Sequence, residues 1–274
     1  MAVFLRPPAA AGTFYEIDPS LLRKQIDFYF RNVVTKTRKG DSLASLAPHS
    51  PYTHSGQVAA HSFASMNKSN FIIIGSNHSP YGADFALMKN SLWKTPIGET
   101  LVDDSLANKL LKEAPMVEFD AIPHEDEFSI EVQLPFILHR FGDTKILPIL
   151  VKNQLPDGIF LDTCRTVGTA ISKLMKKESG WKLVGSSDLS KSMSDVTTEG
   201  TDKKLLKKIE KLDAKGFFDA VRRSGANMCG YGAIATTLCA AKELGLKNVK
   251  VLKYATSAEL AEGEVTGYAS VIFY

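Results

Sequence analysis

Three segments of this chain bring polar chemistry to the end of an apolar run: SLAPHS with His49, IIIGSNHS with Asn77 and His78, and KLVGSSDLSK with Ser186, Ser187, Asp188 and Lys191. A fourth, NMCGYG, places Cys229 at the start of a predicted helix. A helix N-terminus carries partial positive charge, which favours thiolate over thiol, and a thiolate is both a nucleophile and a soft metal ligand. Two imidazoles and one anionic ligand are a common metal-binding set. With a carboxylate as the anion they suit non-haem iron; with a thiolate, zinc or copper competes. No HExxH and no CxxC occurs, so the ligands would have to come from distant segments.

Such residues meet only if the elements before them are neighbours. FIIIG, KILPILV and WKLVGSS read as buried strands from their β-branched and aliphatic runs, and SLASLA as a short, weak one. FALMK and SLWKT read as a hairpin or two short edge strands, and VKVLKYA and TGYASVIFY as closing strands. Asp18-Pro19 opens a helix with apolar residues at Leu22, Ile26, Tyr29 and Val33, TRKGDS is a break, and 55–66 is helical. Asp103 caps a helix over 105–114, and 129–142 is helical with a kink at Pro135. Further helices cover 158–177, 201–212, 214–223 and 229–245, the last ended by Gly245. Strands alternating with helices predict an α/β fold: a mixed, largely parallel central sheet with helices on both faces, in a single domain over 1–274. In such a sheet ligands bind beyond the carboxyl ends of the strands, where these polar segments lie.

The 274 residues carry a net charge of +3, too little to imply nucleic-acid binding. The lysines of DKKLLKKIEKL oppose Leu205, Leu206, Ile209 and Leu212 and read as a solvated helix face. No apolar run reaches membrane-spanning length, and MAVFLRPPAAAG lacks the apolar core of a signal peptide. The three cysteines, an odd number without paired spacing, argue for a reducing compartment, so a cytoplasmic location is expected. Cys164 and Cys239 sit in apolar helical patterns and are assigned to the core. There is no internal repeat, and no nucleotide cofactor is expected.

In order along the chain, RPPAAAGTFY (6–15), APHSPYTHSG (47–56), GSNHS (75–79), EDEFSIEVQLPF (125–136), LPILV (147–151), SSDLSK (186–191) and CGYGAI (229–234) resemble the successive motifs of the Memo family. That family is similar in fold to class III extradiol dioxygenases. The resemblance implies a metal-capable pocket lined by His49, His78 and Cys229, with cysteine where the dioxygenases have glutamate. Two positions depart from the pattern. Lys191 stands where the family's SSDxSH motif has histidine, and Phe128 where its EHS motif does. The histidine most like an acid/base catalyst is therefore absent. A protonated lysine is a poor ligand, but it can bind an anionic substrate or act as a base if its pKa is depressed.

The expected site thus has His49, His78 and Cys229 as metal ligands, Lys191 and Asp188 as catalytic or orienting groups, and Asn77, Ser187 and Glu127 toward the substrate. Glu131 is expected to serve the dipole of its helix, and His54, His61 and His139 to lie on helix faces or the surface. His124 is not expected to replace the missing histidine. One function this predicts is a metal-dependent redox or dioxygenase-like reaction on a small substrate, with iron, copper or zinc. Another is a non-catalytic module that recognises a peptide or small ligand; the family's involvement with phosphotyrosine-bearing receptor segments is compatible with it. A weaker one is a metal-free cysteine enzyme using Cys229 with a histidine base.

Overall fold

A computed structural model describes residues 3–34, 42–260 and 262–274. Its elements are β1 (Phe4–Arg6), α1 (Pro19–Arg31), β2 (Ala44–Ala47), α2 (Tyr52–Ala64), β3 (Asn70–Ser76), β4 (Phe85–Leu87), β5 (Ser91–Thr95), β6 (Gly98–Val102), α3 (Asp104–Glu113) and β7 (Val117–Phe119). There follow α4 (Leu134–Phe141), β8 (Lys145–Val151), α5 (Gly158–Lys177), β9 (Trp181–Ser186), β10 (Lys191–Ser192), α6 (Asp195–Ile209), α7 (Ala214–Ser224), α8 (Tyr231–Glu243), β11 (Val249–Thr256) and β12 (Val265–Phe273). One sheet joins the strands in the order β1-β5-β6-β8-β3-β9-β2-β12-β10, with β11 on β12 and the β4–β7 pair on β8. The run β6-β8-β3-β9-β2 is parallel, and β12 adds antiparallel to β2. The expected mixed, mostly parallel α/β fold is what forms.

Strand alternation builds a core on each face of the sheet. On β3, Ile72 and Ile74 join one cluster, with Leu106 of α3, Phe160 of α5, Leu205 of α6, Phe217 of α7 and Ala233 of α8. Phe71 and Ile73 join the other, with Leu22 and Ile26 of α1, Phe63 of α2 and Phe136 of α4. Local chemistry sets the helix starts. Asp18 accepts from the Ser20 and Leu21 amides with Pro19 in the first turn, and Asp103 and Asp157 cap α3 and α5.

The sequence reading needs correction in several places. Segments β4 and β5 do not pair with each other: β5 forms its hairpin with β6, and β4 pairs with β7 and β8. Pro135 kinks nothing, because residues 131–133 form a 3-10 turn and the proline falls in the first turn of α4, where its missing N–H costs no bond. Helix α6 starts at Asp195, capped by Ser194, and ends at Ile209. Leu212 therefore lies beyond the helix, with φ 51°, though it still packs on the core. The break placed at TRKGDS falls almost wholly outside the described residues. Among those described, no helix is long and apolar enough to cross a membrane.

Candidate metal centre

The carboxyl ends of β2, β3 and β9 lie side by side because β3 and β2 both pair parallel to β9. The residues just past these ends are His49, His78 and the 187–191 turn. Cys229 joins them from two residues before α8. Gly230 between them must lack a side chain, since a Cβ there would lie 2.2 Å from Ser187 Oγ and 2.8 Å from Ser76 Oγ. One ligand atom from each of His49, His78 and Cys229 lies within 4.8 Å of the others. His49 Nε2 and Cys229 Sγ are 3.1 Å apart.

Hydrogen bonding fixes the protonation of both rings. Ser186 Oγ has one proton, which goes to the Ser129 carbonyl oxygen at 2.6 Å. Gln133 Nε2 donates to the same hydroxyl, at 2.9 Å, and also to the Pro48 carbonyl. Ser186 Oγ is then an acceptor toward His49 Nδ1, 3.2 Å away. Nδ1 therefore carries the hydrogen, and Nε2 turns a lone pair toward Cys229. His78 Nδ1 faces both oxygens of Glu127, at 2.9 and 3.0 Å. Burial opposes the charged form of Glu127, but hydrogen bonds from the His78 ring and from the His78 and Ser129 amides outweigh it and bring its pKa below the ordinary carboxylate value. As a carboxylate it accepts from Nδ1, and among the described residues Nε2 of His78 has no hydrogen-bond partner. A carboxylate behind a histidine is the usual outer support of a metal-binding imidazole.

The electrostatics favour the uncharged forms of His49 and Cys229. Burial lowers the His49 pKa, with Asp188 only partly opposing. Burial pushes the Cys229 thiol up to about 12, with Asp188 adding to the rise and Lys191 partly opposing it. The thiolate expected from the helix terminus is therefore not the resting form: desolvation exceeds the dipole's effect, and Cys229 stands outside the first turn of α8. A bound cation would reverse this by taking up the sulfur's charge. The donor set fits a metal: two imidazoles oriented through their Nδ1 atoms and one ionisable sulfur, with ligand atoms within 4.8 Å of one another.

The other expected residues divide. Glu127 reaches the site as described. Asp188 accepts from the His49 amide at 2.9 Å and from Ser50 Oγ at 2.5 Å, so it holds the loop that presents His49. Lys191 acts electrostatically on both His49 and Cys229, and among the described residues its ammonium makes no hydrogen bond or ion pair. Ser187 is turned inward, its hydroxyl donating to the Asp188 carbonyl. Asn77 is occupied with its own turn, accepting from Ser79 and donating to the Tyr81 carbonyl. Phe128 lies flat on His78, with ring centroids 4.6 Å apart and planes at 14°, and stacks on Phe14 at 4.3 Å. Cys164 and Cys239 are in the core.

Two expectations fail, for Glu131 and His61, and the one for His124 holds. Glu131 does not serve a helix dipole; it is fully buried, paired with Arg6 at 2.6 Å and bonded by Tyr15 and the Ala9 and Ala10 amides. His61 is buried on α2, its Nδ1 against the Gln57 carbonyl. His124 is kept from the site by a bond to the Ala86 carbonyl and by packing on Trp93, as its sequence offset suggested.

Sequence reading also missed three supporting residues. Gln133 completes the Ser186 network. Asn153 donates to the Cys229 carbonyl at 2.7 Å and accepts from the Gly232 amide, tying the cysteine to the first turn of α8. Asp202, fully buried on α6, accepts from the Ser190 amide and hydroxyl and from Tyr254. It reaches Ser190 past Gly267, where a Cβ would lie 1.7 Å from its carboxylate, and so anchors the turn that carries Asp188 and Lys191. No local pattern marks these residues; each is defined by a partner far along the chain.

The family model for Memo-like proteins matches residues 6–272. Curated relatives include a MEMO1 family protein of Pyrobaculum aerophilum, 38% identical over 285 residues, covering 98% of this chain and 99% of the relative. One from Methanosarcina barkeri is 36% identical over 274 residues, and one from Sulfolobus acidocaldarius is 36% identical over 289, each covering 98% of this chain and 99% of the relative. A near-complete family match and full-length relatives above 30% identity settle the family: the chain belongs to the Memo family.

Proposed function

We propose that this protein is a metal-dependent enzyme acting on a small substrate by redox or dioxygenase-like chemistry, with His49, His78 and Cys229 as the ligands. The observation that carries the reading is that two imidazoles, each with Nδ1 held by an internal partner, stand with one sulfur so that a ligand atom of each lies within 4.8 Å of the others. Three protein ligands are the usual number where a coordination position is left for substrate. Iron, copper and zinc all suit two nitrogens and a sulfur. A metal bound there supplies Lewis acidity and a template, with electron transfer if it is iron or copper.

The chain's own residues do the rest. Glu127 and Ser186 hold the two Nδ1 protons and aim the rings. Asp188 fixes the backbone that carries His49. Lys191 offers a positive charge for an anionic group, and Phe128 excludes water from one face of His78. Elemental analysis of protein purified without chelator or affinity metal tests the reading. Iron, copper or zinc close to one per chain is expected in wild type, falling sharply in His49→Ala and Cys229→Ser. Wild type that stays empty after purification and after incubation with each ion overturns it.

Phe128 favours a second reading, a non-catalytic ligand-binding module, because a phenyl ring cannot transfer protons. A peptide or small ligand whose affinity survives loss of both His49 and His78 would support it over the first.

A further inference from the structure

The turn that follows β9 grips the segments of two candidate ligands at once. Asp188 accepts from the His49 amide at 2.9 Å, from the Ser50 amide at 3.3 Å and from Ser50 Oγ at 2.5 Å. Three residues on, the Lys191 amide donates at 2.9 Å to the carbonyl of Asn227, two residues before Cys229. The backbone pairing of Lys191 with Asn227 is an isolated antiparallel bridge. One short turn thus joins the loop that presents His49 to the segment that delivers the sulfur, although the two ligands are 180 residues apart in the chain.

Between the two grips stand Leu189 and Ser190. Backbone bonds tie them to Gly267 of β12: Leu189 donates to its carbonyl at 2.8 Å, and the Ser190 carbonyl accepts from its amide at 2.9 Å. Asp202 of α6 supplies a side-chain tie. Its Oδ1 accepts from the Ser190 amide at 3.0 Å and from Ser190 Oγ at 2.6 Å, while Oδ2 accepts from Tyr254 of β11 at 2.9 Å. Asp202 is fully buried, and among the described residues no cation pairs with it. A carboxyl group buried without a cation is costly to fold around. Leu205, Leu206 and Ile209 of the same helix fill the core instead. Of the three hydrogen bonds that Asp202 accepts, two go to one residue at the middle of the turn.

We infer that Asp202 is a positioning residue for the candidate metal centre: by fixing Ser190 it sets the spacing between His49 and the Cys229 sulfur. It acts through the turn, since its own bonds go to Ser190 and Tyr254. Tyr254 serves only the second oxygen, so the grip on Ser190 does not depend on it. The inference rests on the metal reading proposed above, but not on the identity of the metal.

Zinc affinity, measured by competition with a chromophoric chelator, and the sulfur-to-cobalt charge-transfer band test it. Asp202→Ala should weaken zinc roughly tenfold or more, as loss of an outer support of a metal site does, and should shift or weaken the cobalt band. Asp202→Asn keeps an oxygen for Ser190 and should recover most of the affinity. Tyr254→Phe should match wild type. Leu205→Ala, which opens a cavity on the core face of the same helix, should lower stability but leave affinity and band unchanged. Wild-type affinity in folded Asp202→Ala, an Asn variant as weak as the Ala variant, or an equal loss in Leu205→Ala overturns the inference. Should Asp202→Ala not fold, Ser190→Ala, which loses one of the two bonds, should still weaken zinc several-fold, and an unchanged affinity there overturns it as well. Should wild type take up neither zinc nor cobalt, the metal reading falls by itself, and alkylation of Cys229 in metal-free protein decides. Asp202→Ala should then react several-fold faster than wild type and Leu205→Ala, and an unchanged rate overturns the inference.

Discussion

Two buried polar clusters meet in the segment that carries Glu127 and Glu131, and they treat their lone pairs differently. Around Arg6 and Glu131 both charges are paired and hydrogen-bonded. The guanidinium donates to Glu131 and to the carbonyls of His124 and Glu127, and it lies 4.1 Å from the Trp93 ring centre. Glu131 accepts from Tyr15 and from two backbone amides as well. Around His49 and His78 the Nδ1 atoms are spent and the Nε2 lone pairs are not, apart from the contact with Cys229. Saturation marks architecture, and surplus ligand capacity marks a site. The first cluster also serves the second: Arg6 holds the Glu127 backbone while the Glu127 side chain holds His78.

That contrast predicts opposite responses to mutation. The largest stability effect belongs to the saturated cluster. Arg6→Ala leaves the Glu131 charge buried and unpaired and should cost about 3–5 kcal/mol by urea unfolding, or prevent folding. Glu131→Gln with Arg6→Met should recover part of that loss, because the buried charges go together. In metal-free protein His49→Ala should cost far less than Arg6→Ala while removing metal binding. If the two substitutions destabilise equally, the distinction between the clusters is lost.

Next is Glu127→Gln, where the fold should survive but metal affinity should drop roughly 10–100-fold, as for other outer supports of metal-binding histidines. Unchanged affinity would mean that the His78 tautomer does not matter. A pH effect follows from Cys229. Its thiol is protonated at neutral pH, so uptake of a divalent ion should release close to one proton and affinity should rise with pH. Calorimetry in buffers of different ionisation enthalpy counts that proton, and a count near zero would mean that the sulfur is not a ligand.

A second pH effect separates the clusters in the metal-free protein. Burial lowers His124 from its ordinary value to about 3. Between that value and the ordinary histidine range the unfolded chain binds a proton that the folded chain does not. Stability is therefore full above the ordinary histidine pKa and is lost as pH falls, at about 1.4 kcal/mol per unit. His124→Gln should remove one proton's worth of that slope in unfolding measured across the range. An unaltered slope would mean that His124 titrates normally.

Much of this was legible in the sequence. The runs FIIIG, KILPILV and WKLVGSS announced buried parallel strands, and His49 and His78 stood out because they follow such strands directly. The short strands β1, β6, β7 and β10 were missed, since two to five residues carry too little periodicity to register. Glu131 was misread because its partner lies 125 residues away, while the helix-start signal was local. Cys229 was misread for the same reason: a helix terminus can be seen in sequence, but the burial that outweighs it cannot. Asp202, Gln133 and Asn153 act only through tertiary contacts, so nothing in their neighbourhoods distinguished them.

The central claim is that one ion is shared by His49, His78 and Cys229, and titration of metal-free protein with cobalt(II) tests it most directly. A sulfur-to-cobalt charge-transfer band should grow to saturation at a single equivalent in wild type, vanish in Cys229→Ser and fail to saturate in His49→Ala. No such band in wild type, or a band that persists in Cys229→Ser, would contradict the claim.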